Sequence, residues 1–176
     1  MLDGKRIAIL AEEDFEDSEL IVPMWGMKNA GAKVLIVGSG SKDIYQGKRG
    51  SVAIRVDTTA DKVKVEDLAA IIIPGGRAPA RMRQNQAMVN LVEKANEMGK
   101  VIAAVCHGPQ LLIAAGIVRG RRLTSCPAVA EELEAAGAQW ADEAVVQDSN
   151  LITSRKPADL PRFNKAIIEA IRTRAV

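Results

Sequence analysis

The residues of this chain best suited to making and breaking bonds are Cys106 and His107, in the run Ala104-Val105-Cys106-His107-Gly108-Pro109. An apolar stretch, Val101-Ile102-Ala103-Ala104-Val105, leads straight into the cysteine, and a helical segment, Gln110-Leu111-Leu112-Ile113-Ala114-Ala115, follows at once. Strand, tight turn and helix in that order form a nucleophile elbow, in which the turn lifts one side chain clear of the sheet. A thiol at the mouth of a helix meets partial positive charge and free N–H groups, so the spacing predicts a thiolate at Cys106 with a lowered pKa. His107 is the single imidazole of the chain. Adjacent helical residues do not face one another, so a third group must orient this ring if it is to act as a base.

Two more segments follow apolar runs and could meet Cys106. The first is Glu12-Glu13-Asp14-Phe15-Glu16-Asp17-Ser18-Glu19, after Ile7-Ala8-Ile9-Leu10. Acids in a first helical turn complement the helix dipole and its free N–H groups, which accounts for most of them. One acid held beside a thiolate would be pushed towards its protonated form and could donate a hydrogen bond to sulfur. Spacing alone does not select which. The second segment is Pro74-Gly75-Gly76-Arg77-Ala78-Pro79, after Ile71-Ile72-Ile73. Paired glycines let backbone N–H groups approach a ligand, as an oxyanion hole requires.

Other candidates read as structural. Gly38-Ser39-Gly40 is half of a dinucleotide fingerprint without its third glycine. Cys126, in Thr124-Ser125-Cys126-Pro127 at the mouth of another helix, could lie near the site, but it reads first as a helix-entry residue without chemistry of its own. Two cysteines and one histidine show none of the metal-site spacings, so neither a metal nor another cofactor is expected. A disulfide framework is likewise not expected.

Elements must bring these segments together. The runs Ile7–Leu10, Val34–Val37, Ile71–Ile73 and Val101–Val105 are apolar without alternation, as central strands of a parallel sheet covered on both faces are. Helical stripes lie between them: Leu20, Met24 and Met27; then Met88, Leu91, Ala95 and Met98, closed by Gly99; and last Leu160, Phe163, Ile167 and Ile171. Val52, Ile54 and Val56 alternate with polar residues as a half-exposed strand. Val145-Val146 and Leu151-Ile152 flank Asp148-Ser149-Asn150 as a hairpin. The simplest assembly is a single doubly wound α/β domain over residues 1–176, with small antiparallel additions. Chemistry in such sheets collects at the carboxyl ends of the strands.

Bulk properties narrow the classes. A formal charge of +2 with scattered Lys and Arg argues against nucleic acid and anionic membranes, and 3% aromatics leave little for base stacking. No apolar stretch reaches the length of a membrane span, and the first residues do not read as a signal peptide. A cytoplasmic address is expected.

Four segments in order, Asp14–Leu20, Pro74–Pro79, Cys106–Gln110 and Ser154-Arg155-Lys156-Pro157-Ala158-Asp159-Leu160, resemble the PfpI family of the class I glutamine-amidotransferase-like superfamily. The resemblance spans nearly the whole chain. It implies a flavodoxin-like three-layer sandwich, a nucleophilic Cys106 with His107 beside it, and Glu16 as the carboxyl touching the sulfur. It also implies Gly75, Gly76 and the His107 N–H as oxyanion donors, Arg77 at the substrate site, and self-association into dimers or hexamers. Members are described as cysteine peptidases, as cofactor-independent glyoxalases and as deglycases. Peptidase-like members carry an acid directly after the Gly-Gly-Arg-Ala-Pro segment, which reaches the histidine of a neighbouring subunit. Here that position is Ala80. A hydrolase or lyase acting on small reactive carbonyls or glycated proteins is therefore the leading expectation. A peptidase comes second, and a non-enzymatic redox sensor or chaperone third.

Overall fold

The computed structural model describes residues 1–174. The four unalternating apolar runs become strands β1 (Arg6–Ala11), β2 (Lys33–Gly38), β6 (Ala70–Ile73) and β7 (Val101–Val105). With β5 (Thr58–Thr59), β10 (Val146–Asp148) and β11 (Leu151–Ser154) they build a seven-stranded sheet in the order β10-β11-β7-β6-β1-β2-β5. Every pairing is parallel except β10 with β11, the expected hairpin. That hairpin is not merely an addition, because β11 also pairs in parallel with β7 and makes it an interior strand. β6 and β7 are buried along their whole length, which is why their sequences need no polar alternation.

Helices cover both faces, giving a flavodoxin-like fold. α1 (Asp17–Asn29) packs with α6 (Leu160–Thr173). α2 (Ala78–Met82), α3 (Gln86–Glu97) and α5 (Pro127–Ala135) each pack against α4 (Pro109–Ala114). The apolar stripe of α6 is buried at Leu160, Phe163, Ile167 and Ile171. The final turn of α3 closes at Gly99, whose φ of 69° fits the residue expected to end it. Two small ribbons complete the chain. β3 (Ile44–Gln46) and β4 (Ala53–Arg55) form an antiparallel pair, as the Val52–Val56 alternation suggested. β8 (Arg122–Leu123) and β9 (Gln139–Trp140) pair in parallel, which departs from the expectation of antiparallel additions only.

Register decides where the chemistry lies. Ile9 pairs with Ile72 and Ile72 with Ala103, so β1, β6 and β7 end level with one another. The residues that follow them, Glu12, Pro74 and Cys106, therefore emerge along one edge of the sheet. No helix among the described residues is long and apolar enough to cross a membrane.

Candidate active site at Cys106

Cys106 closes β7 with φ at 62°, a left-handed backbone that side-chain-bearing residues rarely adopt. Two backbone bonds hold it there: its N–H donates to Ser154 O (3.0 Å), and its carbonyl accepts from Cys126 N–H (3.0 Å). The turn directs the half-buried thiol out of the sheet, with His107 Nδ1 3.5 Å from Sγ. Gly108 permits the tight turn, since a Cβ there would lie 2.7 Å from Ile73 O.

The acids after β1 sort themselves by partner. Glu12 accepts from the hydroxyls of Ser39 and Ser41, and Glu13 from Lys42 and the Gln46 N–H. Asp14 pairs with Arg81 at 3.0 Å. Asp17 accepts from the N–H groups of Arg49, Ser51 and Val52 and from the Ser51 hydroxyl, and so ties the turn between β3 and β4 to the start of α1.

Glu16, the carboxyl that the resemblance assigned to the sulfur, is occupied elsewhere. Arg49 grips it with Nε at 2.7 Å and Nη2 at 2.6 Å, and Lys48 lies 3.8 Å away. The Arg49 hydrogen bonds hold Glu16 below the usual carboxylate range, so it is an anion and not a proton donor.

The structure sets Glu19 beside Cys106 instead. Its Oε1 accepts from Gly75 N–H at 2.9 Å, while its Oε2 is buried without a hydrogen-bond partner. A Cβ built on Gly75 would lie 2.5 Å from Glu19 Oε1, 2.9 Å from Cys106 Cβ and 3.0 Å from His107 N. These three groups thus converge on the one position where a side chain is missing. Burial, then the charge of Cys106, push Glu19 up to about 9, against the Gly75 N–H bond that favours its anion. Glu19 is the protonated acid that the sequence called for, three residues beyond the one named.

The same hydrogen bond corrects the oxyanion assignment. Gly75 N–H is committed to Glu19. The N–H groups of Gly76 and His107 donate to no protein acceptor among the described residues. Gly76, with φ at 82° and a Cβ position only 2.5 Å from Glu16 N, admits no side chain. Arg77 is exposed, and its N–H binds Asp14 O (2.9 Å). Ala80 lies exposed on α2, and no carboxylate bonds the His107 ring among the described residues.

Cys126, read first as a helix-entry residue, is the group that sequence reasoning ranked too low. It is the N-cap of α5, and its sulfur, the Cys106 sulfur and a His107 ring nitrogen all lie within 4.8 Å of one another. The two cysteines are twenty positions apart in the sequence, and the Cys126 N–H bond to the Cys106 carbonyl joins them in the fold. The pair titrates as a unit. The Cys106 S–H and the N–H groups of Ala128 and Val129 lower Cys126, whereas Cys126 and burial raise Cys106. The downward shift expected at Cys106 therefore falls on Cys126.

Comparison with known proteins gives this arrangement its relatives. The DJ-1/PfpI family description matches residues 5–170. The chain belongs to that family. It is 40% identical to the protein named Deglycase PH1704 of Pyrococcus horikoshii over 95% of this chain and 99% of that one. It is 37% identical to Protein/nucleic acid deglycase 2 of Escherichia coli over 96% and 97%. Among solved structures, a two-domain Anabaena variabilis protein with DJ-1/ThiJ/PfpI-like and ferritin-like domains superposes with a TM-score of 0.92 at 45% identity. That match covers 94% of this chain and 47% of the Anabaena chain.

Proposed function

We propose that this DJ-1/PfpI family member is a cysteine-dependent enzyme of deglycase type, acting in the cytoplasm on reactive carbonyls or their protein adducts. The observation that carries the reading is the buried, protonated Glu19 placed against Cys106 by the Gly75 N–H. The deglycase names of its relatives support the same class.

In this mechanism the Cys106 sulfur attacks the carbonyl carbon of an aldehyde, and an S–C bond forms. Its proton passes to Cys126, whose sulfur lies within 4.8 Å. The carbonyl π electrons move to oxygen, which takes the Glu19 proton to give a hemithioacetal. The N–H groups of Gly76 and His107 are available to the developing oxyanion. With a 2-oxoaldehyde, the Glu19 carboxylate then removes the carbon-bound hydrogen and returns it to the adjacent carbon, while the hemithioacetal hydroxyl proton passes to the former ketone oxygen, leaving a 2-hydroxy thioester on Cys106. Water hydrolyses the thioester to a 2-hydroxy acid and restores the thiol. Atoms balance without a metal or an external oxidant.

Methylglyoxal consumption by wild type, Cys106→Ser and Glu19→Gln tests the reading. Loss of product in both variants is expected, and equal rates in wild type and Cys106→Ser would end it. Peptide hydrolysis ranks lower because no carboxylate orients His107 among the described residues and Ala80 supplies no acid. Peroxide modification of Cys106 without carbonyl turnover would favour a redox sensor.

A further inference from the structure

We infer that Cys106, His107 and Cys126 form a binding site for a thiophilic d10 cation such as zinc, which silences the nucleophile while bound. Two sulfurs and a ring nitrogen already lie within 4.8 Å of one another. Tetrahedral zinc with a Zn–S bond of about 2.3 Å and a Zn–N bond of about 2.0–2.1 Å requires an S···N separation of about 3.5 Å. Cys106 Sγ and His107 Nδ1 stand 3.5 Å apart. The same bond lengths require an S···S separation of about 3.8 Å, so the two sulfurs need close by about 1 Å at most.

Geometry also fixes the ligand atoms in place. Cys126 N–H bonds to Cys106 O, so the two cysteine backbones cannot drift apart without breaking β7's terminal contact. Ser125, beside Cys126, is pinned by the Trp140 indole N–H (3.0 Å). The surroundings suit a cation. Glu19 is fully buried and presents an Oε2 with no hydrogen-bond partner among the described residues. Three protein ligands leave a fourth position for water, on the side where Cys106 and His107 remain half-exposed. Binding displaces the thiol protons to solvent and places the Cys106 lone pair on the metal, so that pair no longer attacks a carbonyl. Two soft sulfurs and an imidazole favour zinc or cuprous copper over magnesium or calcium.

The site stands whether or not Cys106 turns over carbonyls, and the test keeps the two apart. Chelator-stripped protein is titrated with cobalt(II), whose thiolate charge-transfer bands count the sulfurs bound and whose visible bands report a tetrahedral field. Zinc is then added to displace it. The expected result is one ion per chain with a two-thiolate spectrum, and a Cys126→Ser variant that shows one thiolate and binds zinc at least about tenfold more weakly, the loss that even an outer partner's removal brings. In wild type alone, stoichiometric zinc slows iodoacetamide modification of Cys106, which decides the matter if the variant does not fold. An absent charge-transfer band, or unchanged alkylation with zinc present, overturns the site. Failure of the carbonyl assay in the stripped protein with these spectra intact would refute only the enzymatic reading.

Discussion

Glu19→Gln should make the protein more stable and less active, and the gain should depend on pH. Glu19 ionises near 4.5 when free and near 9 in the folded chain. Between those values the unfolded chain has lost the proton and the native chain retains it. Native protein therefore binds more protons, and this group's contribution to stability is complete below 4.5 and declines as pH rises towards 9. At pH 7, 2.5 pH units above 4.5, the accumulated loss is roughly 3 kcal/mol at about 1.4 kcal/mol per unit. Glutamine has the same shape, accepts the Gly75 N–H through its carbonyl and does not ionise. Burial of its second amide donor takes back part of the gain, so a net stabilisation of about 1–3 kcal/mol at pH 7 is expected. Urea denaturation of both proteins at pH 5, 6, 7 and 8 should show midpoints that coincide near pH 5 and separate steadily above it. Methylglyoxal turnover should fall in the same variant at every pH. A midpoint difference that does not grow with pH would mean that Glu19 is already ionised in the native protein, and the proton-donor argument would fail.

Glu16→Gln should behave in the opposite sense. Arg49 depresses the Glu16 pKa in the folded state, so its stabilisation is present above 4.5 and is lost as pH falls through the lower folded value. Denaturation midpoints should show a deficit in the variant at neutral pH that closes in acid, with methylglyoxal turnover close to wild type. Gly75→Ala forces a methyl group onto Glu19 Oε1, Cys106 Cβ and His107 N at once. It should cost about 1–3 kcal/mol in urea and abolish turnover even where the protein remains folded. In chelator-treated protein, Cys126→Ser removes the chief group that raises Cys106. The pH midpoint of Cys106 alkylation, read by mass spectrometry, should move down, and an upward shift would contradict the coupling of the two thiols.

The sheet was readable because burial on both faces writes itself into a strand: Ile71-Ile72-Ile73 and Ala103-Ala104-Val105 have no exposed side to mark with polar residues. The elbow was readable for a related reason, since a cysteine between such a strand and a helix has few other conformations open to it. The identity of the acid was not. Glu16, Asp17 and Glu19 share one entry to α1, and which of them turns inward depends on the rotation of that helix against β1 and β2. Arg49, supplied by a loop more than thirty residues away, removes Glu16 from contention. Cys126 was hidden by the same kind of distance: its position at a helix mouth was legible, but the backbone bond to Cys106 is a property of the assembled sheet. Gly75 was singled out for an N–H able to approach a ligand, and in the fold that N–H serves the neighbouring acid.

The left-handed backbone of Cys106 has a bearing on how variants of this protein should be bred. A side chain in that conformation costs about 1–2 kcal/mol that glycine would not incur. A library ranked by heat tolerance alone would therefore drift towards glycine at position 106, accumulating sturdy proteins that have discarded their reactive atom. Selection for endurance needs a thiol-reactivity screen run alongside it.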